Sequence, residues 1–113
     1  MAVIEIEPAE GTWTVRSPDG VLVESRSALL LREDGHDPVV YFPRADVAMA
    51  LLEESDTRTS CPRKGEASYF HYVGANGRID DVAWSYEDPD QTDAKPIAGH
   101  LAFYDGKVTV EQL

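Results

Sequence analysis

The sequence predicts a mainly β, antiparallel all-β fold, and three observations carry that prediction. Turn-forming sequences punctuate the chain at short intervals, from Ser17-Pro18-Asp19-Gly20 to Asp105-Gly106. The runs between them are short and rich in β-branched and aromatic residues, which suit a pleated, half-buried backbone. Only one segment, residues 45–53, combines strong helix formers with apolar residues at helical spacing. The expected architecture is a compact antiparallel barrel or sandwich of about eight short strands, with one short helix near 44–53. At 113 residues the chain suits a single domain, 1–113, with one sizeable core.

Each element has a local reason. Residues 12–16 and 21–24 flank Ser17-Pro18-Asp19-Gly20, a type I turn sequence in which proline sets φ and glycine closes the turn, so a first hairpin is expected. Ala28-Leu29-Leu30-Leu31 fits a helical turn or a strand buried on both faces; lying between a hairpin and the next turn, it reads as strand. Asp34-Gly35-His36-Asp37-Pro38 ends that run, and Val39-Val40-Tyr41-Phe42 starts another. Pro43 then suits a helix entry, and Val47, Ala50 and Leu51 recur at i, i+3 and i+4. Gly74-Ala75-Asn76-Gly77 separates strands at 69–73 and 78–86, and Asp105-Gly106 separates strands at 97–104 and 108–111. Residues 87–96, polar and holding two prolines, read as a long exposed loop.

Strand alternation sorts the side chains further. It places Asp80, Val82, Trp84 and Tyr86 on one face of 78–86, and separates Tyr69, His71 and Val73 from Phe70 and Tyr72. It also groups Ile97, Leu101 and Phe103 opposite His100 and Tyr104.

Ten basic against 21 acidic residues give a formal charge of 10 − 21 = −11. That balance argues against non-specific nucleic-acid binding, whose affinity comes from Lys and Arg displacing phosphate counterions, and against a broad anionic membrane surface. No apolar run approaches the roughly 20 residues of a membrane span, and residues 1–11 carry Glu5, Glu7 and Glu10 in place of a basic leader. A single cysteine, Cys61, excludes an internal disulfide and any zinc site built on paired cysteines. The class expected is a soluble, acidic, cytoplasmic protein, monomeric or a weak homodimer. No nucleic-acid partner, membrane partner, cofactor or metal is expected.

The candidate chemistry centres on residues 56–69. Arg58, Arg63 and Lys64 fall within seven residues, whereas residues 80–93 hold six acids and no base. A basic island in an acidic chain suits an anionic small ligand, although Arg58 also has Glu53, Glu54 and Asp56 close by to pair with. Nearby cations would raise the thiolate fraction of Cys61. A lone cysteine is more often a small buried hydrophobe, and Cys61 is expected beneath the turn 62–65 in that structural role. Cys61 with His71 or His100 and an aspartate has the composition of a nucleophilic triad, but none of these histidines sits at an informative spacing. His36 reads as a turn residue, His71 and His100 as strand residues. Tyr41, Tyr69, Trp84, Tyr86 and Tyr104 supply aromatic faces with polar tips.

Cys61, Pro62, Lys64, Gly65, Ala67 and Tyr69 match a Cys-Pro-x-Lys-Gly-x-Ala-x-Tyr core, flanked by Val40-Tyr41-Phe42-Pro43 before Asp46-Val47, by Ala83-Trp84-Ser85-Tyr86, and by residues 97–104. On these motifs the chain resembles the domain of unknown function family 427 from the first hairpin onward. The resemblance implies a compact, mainly β single domain and assigns no biochemistry. A nucleotidyltransferase-like label sometimes given to that family has no counterpart here. The chain lacks a Gly-Ser pair with a following Asp-x-Asp metal motif, and Asp80-Asp81 is a poor substitute.

Two functions follow as expectations. The first is a small-ligand pocket on the sheet formed by Tyr41, Arg58, Cys61, Lys64, Tyr69, Trp84 and Tyr86, with Arg58 and Lys64 meeting an anionic group. It requires Lys64 and Trp84 to lie on one side of the domain. The alternative is a non-catalytic protein-interaction domain that uses a sheet edge or the acidic stretch 80–93. Whether the chain is an enzyme, and which reaction it would run, does not follow from these residues.

Overall fold

The chain reverses where its turn sequences fall. The computed structural model describes residues 3–89 and 92–113. In chain order the strands are β1 (Ile4–Pro8), β2 (Trp13–Ser17), β3 (Gly20–Ser25), β4 (Leu29–Glu33) and β5 (Val39–Tyr41). They are followed by β6 (Leu52–Cys61), β7 (Gly65–Gly74), β8 (Gly77–Tyr86), β9 (Leu101–Phe103) and β10 (Thr109–Gln112). Among the described residues they pair, antiparallel throughout, into three sheets of order β1-β4-β5, β10-β2-β3 and β6-β7-β8-β9. The all-β reading and the strand at 27–32 are therefore borne out. No sheet closes into a barrel among the described residues. No helix there is long and apolar enough to cross a membrane.

The first hairpin turn is held by its own serine: Ser17 Oγ accepts the Asp19 amide at 3.1 Å. The Asp19 carboxylate accepts in turn from the Tyr72 hydroxyl and from Asn76, which ties this turn to the one between β7 and β8.

The expected helix near 44–53 does not form. Two single 3-10 turns, Arg44–Asp46 and Met49–Leu51, take its place, and Leu52 already opens β6. Between them Val47 is extended, at φ −105° and ψ 136°, and bridges Val23, while the Ala48 amide donates to the Leu22 carbonyl at 2.9 Å. Pairing with β3 thus outweighs a helix propensity that amounts to a few tenths of a kcal/mol per residue (roughly 0–0.7). The polar stretch 87–96 is a second correction. Asp90 and Gln91 lie outside the described residues, but Thr92–Ile97 forms a 3-10 helix, and Pro89, Ala94 and Ile97 are buried. With about three residues per turn, Ala94 and Ile97 share one face, and that face is the inward one. A third concerns 97–104: only Leu101–Phe103 is strand, His100 lies in the turn before it, and Ile97 packs apart from Leu101 and Phe103.

Two hydrophobic clusters form the core, one on each face of the four-stranded sheet. Phe70, Ala83, Leu101 and Phe103 point to one side, where Val15, Leu22 and Val23 of the β10-β2-β3 sheet cover them. Ala67, Tyr86 and Ala102 point to the other, against Ile4, Leu31, Tyr41 and Ile97. Alternation fails at one place on β8. Asp81 takes a left-handed φ of 47° in a bulge, and after it Val82 and Ala83, adjacent in sequence, both join the first cluster. Phe42 joins the layers. Its amide donates to Leu101 at 2.8 Å and its carbonyl accepts from Leu101 at 2.9 Å, so β5 continues edge-on into β9. The two sheets thereby run as one curled layer, and the radius of gyration of 13.5 Å is close to the roughly 13 Å of a compact chain this long.

Phe42 is fully buried at that junction. Phe42→Ala is expected to cost about 3–5 kcal/mol through lost transfer energy and the cavity left behind, read as a lower urea midpoint with an unchanged m value.

Candidate functional site

The site is built from the turn that joins β6 to β7. Cys61 O accepts the Lys64 amide at 3.2 Å, and Gly65 closes the turn at φ 92°, a conformation that costs an L side chain about 1–2 kcal/mol. The turn aims the Lys64 side chain back over the sheet. Its ammonium lies 2.8 Å from Glu33 Oε1, and the side chains of the pair are 11% and 9% exposed. Arg63 approaches the other carboxylate oxygen at 3.7 Å and remains 38% exposed. The Lys64 ammonium also sits 5.7 Å from the centre of the Tyr86 ring. Glu33 is therefore held below its ordinary carboxyl value of 4.5, first by the hydrogen bond from Lys64 and against the opposing effect of burial.

Above this ion pair lies a cavity of about 490 Å³. Of the sequence-predicted residues it brings together Tyr41, Cys61, Lys64, Tyr69, Trp84 and Tyr86, so Lys64 and Trp84 do line one space. Parity explains the aromatic wall: Tyr69 pairs with Trp84, Ala67 with Tyr86 and Trp84 with Ala102, all on one face of the sheet. Tyr41 and Trp84 meet edge to face at 6.4 Å, with the indole N–H donating to the Tyr41 hydroxyl at 3.4 Å. Burial pushes the Tyr41 and Tyr86 phenols well above their ordinary value, and burial with a Tyr69 hydrogen bond pushes Tyr104 up to about 12. All three are neutral hydroxyls at physiological pH.

Arg58 is not part of this group. It stands an odd number of residues from Cys61, and its guanidinium donates to the carbonyls of Ser55 and Thr57 at 2.7 and 2.8 Å, in the region where β6 bulges. Lys64, expected to meet an anionic group, is ion-paired with Glu33. The cation facing outward is Arg63. Cys61 is half-buried on the cavity wall rather than hidden beneath the turn. The triad does not assemble with His71: Gly65 opposes Cys61 and Glu53 opposes His71, so thiol and imidazole lie at opposite ends of the β6–β7 pair. Six residues of strand separate them, roughly 20 Å. His100 does not line the cavity with Cys61. Among the described residues no group of three His, Cys, Asp or Glu side chains is placed to hold a metal ion.

Glu33, His36 and Asp37 also line the cavity and were not foreseen there. For Glu33 a signal was present, since it shares strand parity with Leu29 and Leu31, of which Leu31 is buried. Tyr104 was named as an aromatic but not as a wall residue; its ring stacks tilted on Trp84 at 4.5 Å.

Residues 5–112 match the family model described as domain of unknown function (DUF427). No curated protein matches the chain.

The ion pair yields two predictions. Lys64→Met leaves Glu33 buried with only Arg63 beside it and is expected to cost about 3 kcal/mol, while Glu33→Leu added to it recovers most of that loss in urea melts. Because the folded Glu33 value lies below the unfolded one, its stabilisation is complete above pH 4.5 and disappears as pH falls through the lowered value. The stability difference between wild type and Glu33→Gln is therefore expected to shrink below pH 4.5. A constant difference from pH 7 to pH 3 would contradict this assignment.

Proposed function

The chain belongs to the DUF427 family, and on the geometry of its cavity we propose that it binds a small anionic or aromatic ligand there. One observation carries the reading: six chemically apt residues far apart in sequence, Tyr41 to Tyr86, surround a single cavity whose floor is a buried ion pair. Its volume of about 490 Å³ lies within the range of small-molecule sites. Three rings with neutral hydroxyls offer apolar faces and hydrogen bonds together. Two cations around one carboxylate leave a local positive charge, +2 − 1 = +1, at that end of the cavity, with Asp37 the opposing charge elsewhere on its lining, in a chain of formal charge −11. An anionic group is drawn to that charge, and Arg63 is the exposed donor that meets it.

The test combines thermal shift with Cys61 alkylation. Aromatic carboxylates and phosphates are screened for those that raise the melting temperature, since a ligand selective for the folded state at 100 times its dissociation constant adds about 2.7 kcal/mol. Such a ligand is expected to slow iodoacetamide labelling of Cys61 and to bind about tenfold more weakly to Arg63→Gln, a loss of about 1.4 kcal/mol. Stabilisation without protection of Cys61 places binding elsewhere and overturns the proposal.

A further inference from the structure

We infer that the ligand is a flexible alkyl carboxylate, its head at Arg63 and its chain running past Trp84 into a second, apolar groove. This rests on the pocket reading and extends it. A groove of about 530 Å³ adjoins the cavity and shares with it Asp37, Val39, Trp84 and Tyr104. Beyond that junction it is lined by Trp13, Leu30, Pro38, Val40, Phe103 and Val110, with the exposed Asp105 the single charged residue among them. The two spaces lie on opposite faces of the edge strand β5. Tyr41 belongs to the first and Val40 to the second, as neighbours on a strand must, and the spaces meet at the strand's end beside Val39. An occupant of both must bend around that end. A rigid planar molecule cannot, whereas a chain of single bonds can.

Charge sets the direction in which such a chain lies. The excess positive charge is at Arg63 and Lys64, at the end of the first cavity formed by the β6–β7 turn. Asp37 stands at the junction and repels an anion there. A carboxylate is therefore favoured beside Arg63 and disfavoured at the junction, so the apolar chain passes the tilted Trp84–Tyr104 pair outward. Tyr104 is 38% exposed and Trp13, Leu30, Val40 and Val110 are half-buried, apolar surface that an alkyl chain would cover.

The two tryptophans report on the two compartments, Trp84 at the junction and Trp13 only in the outer groove. Trp13→Phe and Trp84→Phe proteins, checked for folding by thermal melts, are titrated with butanoate, octanoate and dodecanoate below their micelle concentrations. Trp84 emission is expected to respond to every length and Trp13 emission only to the longer chains, with the dissociation constant falling about fourfold per added methylene. Val110→Glu is expected to flatten that length dependence while butanoate binding is unchanged; Val40→Asn provides a second variant should the first not fold. Dodecanol is expected to bind at least tenfold more weakly than dodecanoate. The inference is overturned if affinity is independent of length and Trp13 stays silent, an outcome that leaves the first cavity as a short-ligand site. It is equally overturned if no carboxylate binds while a ligand from the thermal screen still protects Cys61. If neither kind of ligand protects Cys61, the pocket reading fails with it.

Discussion

The Lys64–Glu33 ion pair is the contact on which the remaining architecture of the site depends. The curled layer formed by β1-β4-β5 and β9-β8-β7-β6 is joined by backbone at Phe42 and Leu101, and among the described residues no ladder joins its far ends. Lys64, in the β6–β7 turn, reaches Glu33 at the end of β4, the strand beside the β1 edge, so side chains link the β6–β7 end of the layer to its other side. A hydrogen-bonded ladder there would have completed a barrel and filled its interior with side chains. An ion pair holds the rims at one point and leaves space above it. The cavity is thus a consequence of closing the layer with two side chains and not with a strand.

Such a pair is a poor source of net stability, because removing two charges from water offsets most of their attraction. What it supplies is position. The pair brings the turn, with Cys61 and Arg63, over the aromatic face of the sheet, and it does so in one register, since a slip of one residue would turn Lys64 away from Glu33. Tyr86 contributes from the side, its ring 5.7 Å from the ammonium. The aromatic wall and the ionic floor are for this reason a single construction, and a change to one disturbs the other.

What could be read from the residues divides along the same line. Strand faces are local, so parity alone put Trp84 and Tyr86 on one face of β8 and parted Tyr69 from Phe70 on β7, and the turn sequences marked the hairpins; the register that sets Tyr69 beside Trp84 is not local. Alternation failed at Asp81, where a bulge with positive φ changed the phase of β8; Arg58 was assigned by charge alone, and its guanidinium is taken up by carbonyls where β6 bulges. The helix failed because residues 44–51 meet β3, a partner more than 20 residues away in the chain. Glu33 was missed for a similar reason. Its inward parity was visible, but its partner lies 31 residues further on, and only closure of the layer brings them together.

A last consequence concerns the kind of chemistry the site can hold. Glu33 is kept ionised by Lys64, and the Tyr41, Tyr86 and Tyr104 phenols are kept neutral by burial, so these four groups do not exchange protons near neutral pH. Catalysis by proton transfer favours groups poised close to the working pH, whereas recognition favours groups whose charge and hydrogen-bonding roles are fixed. Four of the polar groups in this cavity have fixed roles. Such fixed roles support the proposed reading of the cavity as a binding site. The same wall also carries a thiol, Cys61, half-buried beside the turn, and an imidazole, His36, exposed at the rim, and chemistry beyond binding has these to draw on.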